Sequence, residues 1–288
     1  MTRTAILVTL LITALATMLS ALPAQAQTRV FVSGTGNDGN PCTFAQPCRT
    51  FAQAFTTVTA VTTSGGEIDV LDPAGYGPLT ITHGISIQAH GFAGITQATS
   101  MATAITISAG ASDAITLNGL LIDGAGTGGY GIVIYTAGSV QILNCVIRFF
   151  VNHGIILYTT NTPVNLLVSD TVASDSEVGI YISQMSGAST NTPVTLERIS
   201  VNNNYAAGVF VDSGPVMIAN SVMSNNSIGL ESDSGITWLA HSAISGNGEF
   251  HGSGVYVGVG GTVNSYGNNH INGNTTNVIG TLTPVSSE

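Results

Sequence analysis

Lysine is absent from this chain of 288 residues, and one of its five arginines, Arg3, stands at the extreme N-terminus. With a formal net charge of -10, the chain lacks the basic patch that a phosphate backbone requires, which excludes nucleic acid as a partner. Charged residues of all kinds are only 7% of the sequence, against about 25% in an ordinary domain. Low charge signals disorder only when β-branched residues are scarce as well. Here Val, Ile, Thr, Asn and Gly are abundant, so the composition points to β-structure with amide-lined turns.

Long apolar runs are missing beyond the first 20 or so residues. Residues 1–26 carry Arg3, an apolar run from Ala5 to Leu19, then Pro23 and Ala24-Gln25-Ala26. This is the charged, apolar and small-residue order of a secretory leader. An uncleaved anchor is the other reading, but the run is shorter than the roughly 20 residues that a spanning helix needs. Export to a periplasm or to the medium is expected, with no membrane span after cleavage. Cysteine is sparse too. Cys42 and Cys48 flank a short loop and in an oxidising compartment read as a local disulfide. Cys145 falls among apolar residues and reads as an inert buried thiol. No histidine pair follows at zinc-ligand spacing.

What is present is repetition. From Gly131 onward a glycine opens an alternating β-prone stretch, at Gly131, Gly154, Gly179, Gly208, Gly229 and Gly254, with intervals of 21 to 29 residues. A period in this range means a solenoid, in which no unit buries its apolar face alone and stacking neighbours closes the core. Upstream, Arg29-Val-Phe-Val-Ser33 reads as a strand. Phe51, Ala54, Phe55 and Val58 then fall at i, i+3, i+4 and i+7, an amphipathic helix placed to cover the first open edge of the stack.

The segments Val32-Ser-Gly-Thr-Gly36-Asn-Asp38-Gly-Asn40, Pro47-Cys-Arg49-Thr50-Phe51-Ala-Gln-Ala54 and Gly65-Gly-Glu-Ile-Asp-Val70 resemble the opening of secreted right-handed parallel β-helix proteins of the pectin-lyase-like superfamily. The resemblance implies an all-β, single-stranded right-handed parallel β-helix with three short parallel sheets and a short N-terminal capping helix. The expected organisation is a leader (1–26), a strand, disulfide loop and helix (27–66), the β-helix (67–271) and a polar C-terminal tail (272–288). The superfamily includes lyases, polygalacturonases and tailspikes, so function has to be argued from the site.

Aligning the coils on their glycines assigns faces by the period-two rule. Positions one and three, such as Ile132/Ile134, Ile180/Ile182 and Val209/Val211, point inward. A second inward ladder is expected at Val140/Ile142, Val164/Leu166, Val194/Leu196, Val216/Ile218 and Ile236/Trp238. A third is expected at Val146, Val172, Val201, Val222 and Ala243. The turns before the glycines carry Asn152, Asn202, Asn203, Asn204, Asn225, Asn226 and Asn247. Stacked amides there can bond from coil to coil, a structural role that competes with ligand binding.

Positions two and four face outward: Val133, Ile156, Tyr181, Phe210, Glu231 and Tyr256, beside Tyr135, Tyr158, Ser183, Asp212, Asp233 and Gly258. The candidate ligand-binding ribbon is Tyr135, Tyr158, Tyr181, Phe210, Asp212, Glu231, Asp233 and Tyr256. Flat rings beside hydrogen-bonding carboxylates suit a polysaccharide or a cell-surface partner. Two insertions, 159–162 and 184–192, leave just after this strand and either wall the ribbon or fold over it. Asp212 and Asp233, one coil apart, are the candidate catalytic pair for a glycoside hydrolase or lyase, or else a solvated ladder. Asn152-His153-Gly154 faintly resembles the polygalacturonase histidine turn, without the aspartates and cationic pair that should accompany it. Asp170, Asp175 and Glu177 form a weak calcium candidate, and no other cofactor is expected. Three functions remain open: non-catalytic binding of a neutral glycan or surface partner, a carbohydrate-active enzyme, and a structural spacer.

Overall fold

A computed structural model describes residues 28–62, 65–160, 163–184, 194–248 and 252–286. The expected leader lies outside these residues, as do 161–162 and most of the second insertion. Each regular coil consists of three short strands, and every strand pairs in parallel with its counterparts one coil away. One sheet, here the glycine sheet, has nine strands among the described residues, from Leu79–Ile81 and Thr103–Ser108 through Tyr130–Thr136 and His153–Thr159 to Val278–Ile279. The second sheet runs from Thr28–Val32 to Leu282–Pro284, and the third from Ala74–Gly75 to His270–Ile271. Two long strands, Ile85–Thr96 and Ala114–Asp123, each serve both the second and the third sheet. The expected three-sheet β-helix with one short helix is the architecture observed.

The core is the bore of this coil. Ile132, Ile134, Ile155, Leu157, Ile180, Ile182, Val209 and Val211 are fully buried, as positions one and three require. The repeating glycine is there for proximity. A Cβ on Gly154 would stand 2.7 Å from the carbonyl oxygen of Gly179, and one on Gly208 2.7 Å from that of Gly229. The same hypothetical atom on Gly208 would stand 2.8 Å from the amide nitrogen of Asn226. Glycine therefore makes room for the next coil's backbone and for the amide column beside it.

That column is Asn204, Asn226, Asn247 and Asn274, one per coil. Nδ2 of each of the first three donates to Oδ1 of the next at 2.9, 3.1 and 2.9 Å. The same Oδ1 atoms accept the backbone N–H of the preceding coil. The structural reading thus holds for Asn204, Asn226 and Asn247. Asn203 and Asn225 serve differently, taking the left-handed backbone conformation (φ 58° and 55°) at the corner just before, which asparagine tolerates.

Two inward ladders need correction. In the third sheet Ile147, Ala173, Val201, Met223 and Ile244 fill the bore, whereas Val146 and Val172 are half-buried and Val222 is exposed. The cause is the preceding corner. Asn144, Asp170, Arg198, Asn220 and His241 are left-handed, and the next residue (Cys145, Thr171, Ile199, Ser221, Ser242) is buried. Alternation restarts from that buried residue. In the second sheet Thr237 and Leu239 point inward, in register with Val216 and Ile218, while Ile236 is exposed and Trp238 half-buried. The coils also continue beyond 271. Val278–Ile279 and Leu282–Pro284 pair with the preceding coil, so the expected tail is largely a last coil.

At the other end the helix Phe51–Thr59 buries the expected stripe of Phe51, Ala54, Phe55 and Val58. Thr50 caps it, accepting from Gln53 N, and Asp38 Oδ1 accepts from the N–H groups of Arg49 and Thr50 at 2.9 Å. Cys42 and Cys48 form the expected disulfide, their Cα atoms 4.6 Å apart. Cys145 is the free, buried cysteine among the described residues, its thiol pushed up to about 11 by burial. No helix among the described residues is long and apolar enough to cross a membrane.

Candidate functional site

The outer face of the glycine sheet carries three parallel columns of side chains, because residues in register on successive coils stand about 4.8 Å apart. The middle column runs Thr80, Thr106, Val133, Ile156, Tyr181, Phe210, Glu231, Tyr256 and Ile279, each paired with the next. On the side that precedes the glycine, Thr103, Tyr130, His153 and Val178 form a second column. On the other side stand Tyr135 and Tyr158, followed by Asp212 and Asp233.

All eight expected ribbon residues lie on this outer face and none enters the bore. Tyr135 and Tyr158 are 45% and 36% exposed. Tyr181, Phe210, Glu231 and Tyr256 are half-buried. Val133 and Ser183, also assigned outward, are covered, at 4% and 0% exposure.

The rings touch across columns. His153 stacks on Tyr181 of the next coil, with centroids 5.1 Å apart and planes 9° from parallel. Tyr130 meets the edge of His153 at 5.7 Å, and Phe210 meets Tyr181 edge-to-face at 5.2 Å. These are the offset and T-shaped arrangements that ring quadrupoles favour. His153, Tyr130 and Tyr181 thus form one aromatic band, which the expected ribbon, built on Tyr181 without Tyr130 or His153, does not contain. The signal for it lay in the position just before each glycine, where Tyr130 and His153 align. Burial lowers the basicity of His153, opposed by nearby Glu177. Its Nδ1 is buried without a partner.

The carboxylates are arranged unequally. Ser183 Oγ donates to Asp212 Oδ2 at 2.7 Å, and a register shift after Ile182 pairs Ser183 with Ser213, leaving Asp212 on a bulge. Asp233 follows the end of the strand Ile228–Ser232 and leans over Gly258, where any Cβ would run into its carboxylate. Backbone bonds from Asp233 N to Val211 O and from Ser234 N to Asp212 O, both 3.0 Å, keep the two aspartates on adjoining coils. Glu231 is the perturbed acid: burial, reinforced by the charge of Asp233, pushes its carboxyl up to about 7. Burial also raises Tyr181, with Asp212 adding to the shift.

No cation reaches this face among the described residues. Arg29 pairs with Glu67, Arg148 with Asp123, and Arg198 with Asp170 and Glu197. Arg49 donates to Gly75 O at 2.6 Å. The calcium candidates do not converge either. Asp170 is held by Arg198, which pushes its carboxyl down to about 2. Asp175 accepts from Ser174 Oγ at a different corner, and Glu177 lies near His153. No cluster of three or more metal-ligating side chains occurs among the described residues.

Comparison with known proteins bears on the scaffold. The family described as "Right handed beta helix region" matches residues 130–283. Among solved structures, a pectate lyase, Pel9A, is 17% identical, with a TM-score of 0.47 over 92% of this chain and 78% of its own. A rhamnogalacturonan lyase is 11% identical, with a TM-score of 0.44 over 86% of this chain and 72% of its own. No curated protein matches.

Proposed function

Because the chain belongs to the right-handed β-helix family, a scaffold that fixes a surface but no chemistry, we propose that it is an exported protein that binds a neutral glycan, or a glycan-bearing surface partner, without cleaving it. The observation that carries this reading is the aromatic band from Tyr130 through His153, Tyr181 and Phe210, flanked by exposed Tyr135 and Tyr158 on the same face. Rings held rigidly by their neighbours offer flat apolar platforms at low entropic cost. Asp212, Asp233 and Tyr hydroxyls accept or donate hydrogen bonds at the edge. With every described arginine engaged and none on this face, a uronate polymer finds no counter-charge and is repelled by the net-negative rod. The Cys42–Cys48 disulfide agrees with an oxidising compartment.

Glycan-array binding of the wild type against Tyr135→Ala and Tyr181→Ala tests the reading. A loss of about tenfold or more in retention of neutral glycans is expected, since a stacking ring contributes on the order of 1 kcal/mol or more. Unchanged retention in both variants overturns it.

The Glu231 carboxyl favours a second reading, a glycoside hydrolase. A half-buried acid with its pKa near 7, beside an aspartate, is the pattern of a general acid with a charged partner. In this reading Glu231 is the acid and takes the place of Asp212 in the expected pair, with Asp233 as its companion. Reducing-sugar release from neutral polysaccharides that vanishes in Glu231→Gln supports hydrolysis, and no release across a broad panel retires it.

A further inference from the structure

The middle column does not begin with an aromatic ring. Its first two members, Thr80 and Thr106, floor a cleft of about 460 Å³ whose other lining residues are Ala52, Phe55, Thr56, Pro78, Leu79, Gln97 and Thr103. One wall is the capping helix Phe51–Thr59, which overhangs the outer face of the glycine sheet through Ala52, Phe55 and Thr56. The other end of the column is Tyr256 and Ile279. Thr103 likewise heads the second column, in register with Tyr130 and then His153. The cleft is therefore the common head of the two columns that carry the aromatic band.

Its lining defines the ligand. None of the nine residues is charged or titratable, so an ion would enter without compensation. Phe55, Pro78, Leu79 and Ala52 give apolar surface, and four threonines give hydroxyls. Thr80, Thr103 and Thr106 bring their hydroxyls from the glycine sheet, and that of Thr56 comes from the helix, where it donates to Ala52 O at 3.0 Å. Gln97, 7% exposed, is fixed by its own loop: Nε2 donates to Thr103 O at 2.9 Å and Oε1 accepts from Thr99 N at 3.2 Å. The wall is thus preorganised, and its size falls at the small end of ligand pockets, about 300 to 1,000 Å³. An uncharged, hydroxyl-rich ring with apolar faces fits this chemistry.

We propose that the cleft under the capping helix holds the terminal unit of a neutral glycan whose body lies on the aromatic band, so that the rod reads a chain end and binds in one direction. This rests on the neutral-glycan reading given above. The helix stands at one end of the column, so a chain end can enter the cleft while the body of the chain lies on the rings. Chain ends gain the cleft in addition to the rings, and internal segments have the rings alone.

The test uses the full mature chain and neutral oligosaccharides of glucose, mannose and xylose, with titration calorimetry as the readout and thermal midpoints as the folding control. Thr56→Trp, an exposed helix position, fills the mouth, and Tyr158→Ala removes an exposed ring that flanks the band. The expected result is a tenfold or greater loss of affinity in Thr56→Trp with an unchanged midpoint, and a comparable loss in Tyr158→Ala. In wild type, oligosaccharides with a blocked terminal unit, at one end or the other, should bind less tightly than unblocked ones. If Thr56→Trp and terminal blocking change nothing while Tyr158→Ala abolishes binding, the cleft proposal is wrong and the band reading stands. If Thr56→Trp alone abolishes binding, the cleft stands and the band reading falls. Absence of binding by the wild type to all of these sugars overturns both.

Discussion

Two columns run side by side along this rod, one residue per coil, and they end in opposite ways. In the buried column each amide of Asn204, Asn226 and Asn247 gives a hydrogen bond to the next and accepts one from the backbone behind it. On the outer face the rings of Tyr130, His153, Tyr181 and Phe210 touch one another, but Tyr135 and Tyr158 turn much of their surface to solvent. The first column is closed, because every group it repeats finds its partner in the next coil. The second is open. Repetition with all partners internal is architecture, and repetition that leaves faces uncovered is a surface that can bind.

The sharpest way to break this contrast is Asn226→Ala. It strips the acceptor from the buried Asn204 N–H and side-chain amide, and the donor from Asn247 Oδ1. A loss of about 2–4 kcal/mol is expected, read as a lower urea midpoint, with glycan affinity unchanged because no ring moves. The parallel corner offers a smaller probe. There Ser221 Oγ accepts from Ile199 N at 3.2 Å and passes its own proton back to Ala219 O, two residues upstream, so no side-chain chain forms. Ser221→Ala should cost about 1–2 kcal/mol, less than Asn226→Ala. Equal costs would show that the amide-to-amide links add nothing beyond the backbone bond.

At a single pH the open column gives the least to read, because its effect appears only as a pH dependence. Glu231 holds its proton more tightly folded than unfolded, since burial and Asp233 raise its carboxyl to about 7. The folded state therefore binds more protons through the window from the ordinary glutamate range, 4.5, to about 7, and stability falls as pH rises across it. Glu231→Gln should flatten that fall in thermal midpoints taken at pH 5 and pH 8. A wild type and variant with parallel pH profiles would place the acid in contact with water.

Much of the closed column was legible in the sequence, and less of the open one. The glycine period, the inward pairs such as Ile180/Ile182, the helix stripe and the amide role of Asn226 all follow from patterns with one physical cause each. The third-sheet phase did not follow, because a three-residue strand turns only its central residue inward. In Val146–Arg148 that residue is Ile147, and apolarity alone cannot choose between Val146 and Ile147. Thr237 and Trp238 mislead in the same way: hydrophobicity assigns the ring inward, whereas register with Val216 and Met217 assigns the threonine. The contact of His153 with Tyr181 joins different positions on different coils. No alignment on the glycine displays it. The cleft is a product of the helix overhang, a tertiary relation that local pattern does not carry.

The disulfide loop has a consequence for how the rod meets its own kind. Phe31 N donates to Cys42 O at 2.8 Å and Phe31 O accepts from Cys48 N at 3.0 Å, so the clasped loop occupies hydrogen-bonding positions that the first strand would otherwise offer to a foreign strand. Unpaired strand edges invite templated growth. The covalent clasp between Cys42 and Cys48 holds the loop in place along this edge, so a foreign strand meets occupied hydrogen-bonding positions there.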